Sequence, residues 1–182
     1  MRQPDSEIAP SSPADCAPID RHPRFRRLAD YLAAKAPPGG LPGRQHLDPT
    51  EIPDLLPYLM LIDILQPGAG APPRYRVRLA GTAVVTMQGE EITGRFVDEI
   101  LTTDAGRDIV QAYGDILRDR QPQYRCGIVT LPGRDYLLYE RVIFPLARDG
   151  HEVDMLLSVF VTVPQHGPAQ PGRAAARTAI AR

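Results

Sequence analysis

Tyr139 and Arg141, two residues apart in "YLLYERVIF", are the side chains best suited to hold a ligand. A guanidinium presents a rigid fork of N–H donors to a carboxylate or phosphate. A phenol beside it adds a flat apolar wall with a hydroxyl at its edge. Whether the pair can act depends on facing, because successive side chains of a strand alternate. If Leu137, Tyr139, Arg141 and Ile143 turn toward a helix-covered pocket, the fork points into it. If Tyr136, Leu138, Val142 and Phe144 form the core instead, Arg141 is solvated or sits at a subunit contact. The sequence leaves both orientations open.

Two carboxylates suggest a different chemistry. Small isomerases and dehydratases use a carboxylate whose pKa is raised inside an apolar cavity, and Asp63 in "LMLIDILQ" and Glu140 in "LLYERVIF" are acids flanked by apolar residues. A buried unpaired carboxylate is costly, so each is expected to be a sheet-surface acid paired with an arginine on the next strand. No His–acid or Ser–His pairing stands out, which makes a cavity enzyme the second reading. Cys16 and Cys126 form neither a disulfide framework nor a zinc site, and Cys126, mid-strand in "YRCGIVT", is expected to be a small core residue. His22, His46, His151 and His166 are scattered and read as surface histidines. Arg21, Arg24, Arg26 and Arg27 have only Phe25 interleaved and are balanced by Asp20 and Asp30. They read as a solvated helix rim beside a dimer contact, not as a nucleic-acid patch.

These residues need elements to position them. Phe25, Leu28, Ala29, Leu32 and Ala36 recur at helical spacing and predict a helix from Pro23 to Lys35, ended by "APPGG". In "HLDPTEIPDLLPYL", Asp48 is a candidate N-cap before Pro49, and Pro53 and Pro57 keep that helix short. "YLMLIDIL" and residues 74–80 predict an antiparallel pair of strands. Short helical pieces continue to Ile100, then a longer helix over 103–119 with a predicted Asp104 cap and Ile109, Ala112, Tyr113, Ile116 and Leu117 on one face. Tyr113 therefore faces the same volume as Arg141 in the first orientation. "QYRCGIVTL", "YLLYERVIFPLA" and "VDMLLSVFVTV" complete a meander, with Asp149-Gly150 signalling a turn in which both residues take positive φ. Five strands with helices concentrated in one insertion predict an α+β fold: a five-stranded antiparallel sheet, helices on one face, and an N-terminal amphipathic helix.

Bulk properties narrow the class. The 182 residues suffice for one domain, expected over 21–163, between a disordered tail (1–20) and a flexible one (164–182). A net charge of −1 gives no electrostatic case for nucleic acid or an anionic membrane. "YLMLIDIL", the most apolar stretch, is too short for a bilayer and contains Asp63, and the N-terminus lacks a signal-peptide core. A soluble, cytoplasmic protein is the expectation.

Four stretches carry a resemblance: "LPGRQHLDPTEIPDLLPYLMLIDIL", "YRVRLAGTAVV", "GRFVDEI" and "YLLYERVIFPLARDGHEVDMLLSVF". Together with the element order they resemble the stand-alone bacterial PAS family common in alphaproteobacteria, over about 21–161. Relatives often carry a Trp where Leu32 follows Asp30-Tyr31 here. The resemblance implies a sensory or protein-interaction module, usually dimeric, whose ligand is generally unassigned. The expectation is a sensory or regulatory module without its own output domain, which binds a small molecule and/or a protein partner and signals by a change of conformation or assembly. In that fold the second strand delivers the chain to short helices that wall a pocket. Gly81 would then be the turning point and Thr82 the cap of the first of these helices. The ligand site expected on these grounds comprises Arg141, Tyr139, Tyr113, Thr82 and Gly81. The cofactor is open, with two disfavoured. For haem, no histidine lies on the 103–119 helix, and for photoreactive flavin, Cys126 is not in an Asn-Cys-Arg-Phe stretch.

Overall fold

The chain is built as a sheet buried on both faces. In a computed structural model, residues 18–66, 68, 70–101, 104–129 and 137–163 are described. The five strands are β1 (Leu59–Leu65), β2 (Arg74–Ala80), β3 (Gln123–Val129), β4 (Leu137–Leu146) and β5 (Met155–Val163). They form one antiparallel sheet in the order β2-β1-β5-β4-β3. The helices are α1 (Pro23–Lys35), α2 (Thr82–Gln88), α3 (Val97–Ile100) and α4 (Asp104–Asp119).

Strand alternation divides the core in two. On one face Leu59, Leu61, Val142, Phe144, Leu157 and Val159 pack with Phe25, Leu28 and Leu32 of α1. On the other, Met60, Ile62, Ile143, Leu156 and Phe160 pack with Val84 of α2, Val97 of α3, and Tyr113 and Ile116 of α4. Cover on both sides explains why β1 and β5 are apolar runs without alternation. It also places α1 opposite the other three helices. Leu32, the residue that departs from the resemblance, is 4% exposed and fills its place in the α1 contact.

Local chemistry sets the helix ends. Pro23 opens α1, and the His22 ring accepts the Arg24 N–H at 3.1 Å. His22 is thus an N-cap and not a free surface histidine. A 3-10 turn, Pro18–Arg21, precedes it, so regular structure begins ahead of the boundary expected at residue 21. Asp48 caps as expected, accepting the Thr50 N–H at 2.9 Å, but Pro49–Glu51 is a single 3-10 turn because the prolines leave no room for more. Asp104 is the first residue of α4. At the other end Arg120 takes φ 57°, gives its N–H to the Ile116 carbonyl at 2.8 Å, and donates Nη2 to the Gly150 carbonyl at 3.1 Å. That contact ties α4 to the β4–β5 connection.

Two further expectations change. Gly150 has φ 80°, but Asp149 does not share the left-handed region; its carboxylate instead accepts the His151 and Glu152 N–H groups, each at 2.8 Å. Cys126 is exposed, not core. It lies on the edge strand β3 opposite Glu140, beyond Tyr124, the β3 residue that reaches the α1 cluster. The arginines around α1 form a largely exposed rim as expected, with contacts inside the chain: Arg26 pairs with Asp20, Arg27 with Asp54 at 2.8 Å, Arg24 covers the Tyr58 ring at 3.6 Å, and Arg21 covers Tyr124 at 4.9 Å. The tails expected at the two ends lie, over 1–17 and 164–182, outside the described residues, as does the β3–β4 connection, 130–136.

Candidate functional site

The facing of β4 is the first orientation. Tyr139, Arg141 and Ile143 point toward α2–α4, while Val142 and Phe144 point toward α1. Arg141 is consequently buried, 3% exposed, under α4. Its Nη1 donates to the Tyr113 hydroxyl at 3.2 Å, and its guanidinium carbon lies 5.6 Å from the Tyr113 ring centre and 5.4 Å from that of Phe160. Tyr113 meets Tyr75 edge to face at 5.0 Å, and Tyr139 leans on Phe160 at 5.8 Å. Two of the guanidinium nitrogens, Nε and Nη2, are buried without a hydrogen-bond partner.

The electrostatics of this cluster are unbalanced. Burial pushes the Tyr113 phenol upward, partly countered by Arg141, so the phenol is neutral at physiological pH. Burial opposes the charge on Arg141, but the oxygens of Tyr113 and Tyr139 outweigh it and leave the guanidinium above its ordinary value. Two of its donors still make no hydrogen bond inside an apolar layer, which is costly for a charged group.

A cleft of about 470 Å³ opens beside this cluster, between the Leu56–Tyr58 turn, α2 and the ends of β4 and β5. Thr82, Met87, Leu137 and Phe160 line it. Phe160 is shared: it lines the cleft, and its ring centre lies 5.4 Å from the Arg141 guanidinium carbon. The five residues expected at one site therefore fall in three places. Arg141, Tyr139 and Tyr113 are together in the core, Thr82 is on the cleft wall, and Gly81 is behind it.

Thr82 is not a cap. Gly81 occupies the N-cap position of α2 with no side-chain cap bond, and the Thr82 carbonyl accepts the Thr86 hydroxyl at 2.9 Å. The helix can start this way because the Gly81 carbonyl receives the Val84 and Val85 N–H groups at 2.9 and 3.0 Å. Reading the sequence missed Phe160 and Ser158. The signal was in "LLSVFVTV", where one serine interrupts an apolar strand in step with Leu156 and Phe160. Ser158 is fully buried on the helix-covered face, and its Oγ has no partner.

The carboxylates are placed elsewhere. Asp63 is 7% exposed and receives Arg76 Nη2 at 2.9 Å and Arg78 Nη1 at 3.2 Å, both from the neighbouring strand. Arg78 reaches it because the β1–β2 register skips that residue between Leu61↔Leu79 and Ile62↔Val77, a bulge that re-aims the side chain. Glu140 lies 3.7 Å from Arg21, an arginine of the N-terminal 3-10 turn and not of the next strand as expected. Each acid thus has an arginine partner, and neither is the unpaired carboxylate in an apolar cavity that the enzyme reading needs. Asp63→Asn should cost only about 1 kcal/mol, since both arginines are half exposed and water can take over their donors. Urea unfolding monitored by circular dichroism checks this; a loss above about 3 kcal/mol would mean the pair is effectively buried.

Among the described residues no group of three or more His, Cys, Asp or Glu side chains is arranged to hold a metal ion. Nor is any described helix long and apolar enough to cross a membrane.

Comparison with curated proteins finds no match. Among solved structures the fold is similar to the Rhodobacter sphaeroides LOV protein, with 14% identity and a TM-score of 0.47 over 66% of this chain and 71% of that one. It is similar also to the PAS domain of Bordetella pertussis BvgS, with 15% identity and a TM-score of 0.46 over 60% and 79% of the two chains. The sequence itself matches the PAS domain family over residues 20–161, a span that takes in α1, the whole sheet as far as β5, and the helical layer containing the Arg141 cluster. By that match the chain belongs to the PAS domain family.

Proposed function

We propose that this PAS domain is a sensory or regulatory module that binds a small molecule between its sheet and its helical layer. Its occupancy is passed to a protein partner, or to a second copy of the chain in a homodimer, by a change of conformation or assembly. The observation that carries this reading is Arg141, a buried cation with Nε and Nη2 idle. Its third nitrogen holds α4 through Tyr113. A ligand that engages the idle edge would change how firmly Arg141 holds Tyr113, and with it the seating of α4. This is a population shift, and its size is limited by the ligand's differential affinity for the two seatings of the helix.

Native mass spectrometry of the purified chain tests the proposal. The expected result is a dimer carrying a small non-covalent mass that is absent from Arg141→Gln. Hydrogen exchange along α4 should slow when that mass is bound. A chain with no bound mass, whose α4 exchange is unchanged by a panel of small metabolites, would overturn the reading.

A further inference from the structure

The chemistry of the idle edge is specific enough to name a ligand class. We infer that the site takes a small monocarboxylic acid with a short apolar or aromatic tail: carboxylate on Arg141 and Ser158, tail in the Thr82–Met87 cleft. The assignment rests on the proposal that a small molecule binds between sheet and helices.

Three observations converge. First, Nε and Nη2 share one edge of the guanidinium and are the two nitrogens without partners, while Nη1, outside that edge, is taken by Tyr113. Two parallel N–H donors match the two oxygens of a carboxylate in one plane. Second, the charge balance favours a monoanion. Among the described residues no carboxylate forms an ion pair with Arg141, and its polar neighbours are the phenols of Tyr113 and Tyr139. One carboxylate cancels one guanidinium, whereas a dianionic phosphate monoester would leave a net negative charge in an apolar layer. Third, a further donor is in place. Ser158 pairs with Ile143, and Arg141 pairs with Phe160 on the same two strands. Ser158 and Arg141 are therefore diagonal neighbours on one face, within reach for a long side chain. The buried, unpartnered Ser158 hydroxyl can donate to a carboxylate oxygen held on the fork.

The cleft offers a place for the tail. Phe160 stands between the fork and the cleft, and Val84, Met87 and Leu137 make the cleft wall beyond it apolar. On this assignment, a change of Phe160 rotamer would open a path from the cleft to the fork. An aromatic or short alkyl tail would then lie against Met87 and Leu137 while the carboxylate remains inside.

Titration of the full chain with 3-phenylpropionate, its neutral counterpart 3-phenylpropanol, and phenyl phosphate tests the assignment. Tyrosine emission is a usable signal because the chain has no tryptophan, and Tyr113 is in the site; calorimetry gives the affinity. The acid should bind at least about 30-fold more tightly than the alcohol, as expected for charge-assisted bonds. Phenyl phosphate should bind more weakly than the acid. Arg141→Gln should lose about the same factor as the alcohol, and Arg141→Lys should fail to restore it because an ammonium has no fork. Ser158→Ala should weaken the acid about fivefold. Ser158→Ala removes an unsatisfied hydroxyl, so its fold is secure even if an Arg141 variant unfolds. Equal binding of acid and alcohol, tighter binding of phenyl phosphate, or undiminished binding to Ser158→Ala and Arg141→Gln would overturn the assignment. If native mass spectrometry shows a bound small mass while the acid gives no response, the sensory reading stands and the carboxylate assignment falls. If both are silent, both fall.

Discussion

Phe25→Ala should destabilise the protein by about 3–5 kcal/mol, the range for removing a phenyl ring from a closed core. Phe25 is fully buried, and its ring meets Tyr124 of β3 edge to face at 6.5 Å. It is the N-terminal member of the Phe25, Leu28, Leu32 stripe that seats α1 on the outer face of the sheet. The polar contacts of α1 cannot make up the loss. Arg27–Asp54 and Lys35–Glu51 are exposed pairs, and such pairs contribute about 1 kcal/mol or less each. Differential scanning calorimetry should show a fall in Tm on the order of 10 °C. Loosening α1 also uncovers Leu59, Leu61 and Val159, so the variant should self-associate, with a Tm that depends on protein concentration. A loss below about 1 kcal/mol would mean that α1 does not depend on this contact.

The facing of β4 shows what the sequence could and could not reveal. The strand "LLYERVIFPL" is apolar at both phases because helices cover both faces of the sheet. Alternation identifies an inner face only when the other face is wet, so Arg141 could not be oriented from its neighbours. The helices and the succession of strands along the chain were legible because their signals are local: Pro23 and the Phe25–Leu28–Leu32 stripe for α1, and Tyr113–Ile116 in step along α4. Cys126 was misread because a strand pattern does not say whether the strand lies at the edge of its sheet. Asp63 was legible because elementary electrostatics required a partner, and Arg76 and Arg78 supply it. Glu140 was half legible: the need for a cation was clear, but the cation comes from a turn far away in sequence.

The same limit applies to the candidate site. Arg141 and Tyr139 stood out by residue type, but Phe160 is shared between cleft and guanidinium only through β4–β5 register, which no local pattern encodes. Gly81 was legible as a turning point, though not for the reason a turn suggests. Its φ of −68° and ψ of 159° suit any residue. What requires glycine is space.

Gly81→Ala is therefore expected to destabilise by about 3 kcal/mol or more, at or beyond the usual range for overpacking. A Cβ at Gly81 would lie 2.3 Å from the Leu56 carbonyl oxygen and 2.4 Å from that of Pro57. Both are backbone atoms, so no side-chain rotation can relieve the overlap. The residue cannot shift away either, since its N–H is bonded to the Leu59 carbonyl at 2.8 Å and its carbonyl starts α2. The Leu56–Tyr58 turn would have to separate from α2, and these are the two walls of the cleft. Gly94 provides the internal control. It has φ 87° with nothing within 4 Å of its Cβ position, so Gly94→Ala should cost about 1 kcal/mol from backbone strain alone. Gly94→Asn should recover part of that, because asparagine tolerates the left-handed region. No L-residue should rescue Gly81, and Gly81→Ser or Gly81→Asn should be at least as damaging as alanine. Urea unfolding of the five variants separates the two causes. If Gly81→Ala proved as mild as Gly94→Ala, the turn and α2 would be free to part. The cleft would then be a yielding wall, and a ligand could enter without moving Phe160.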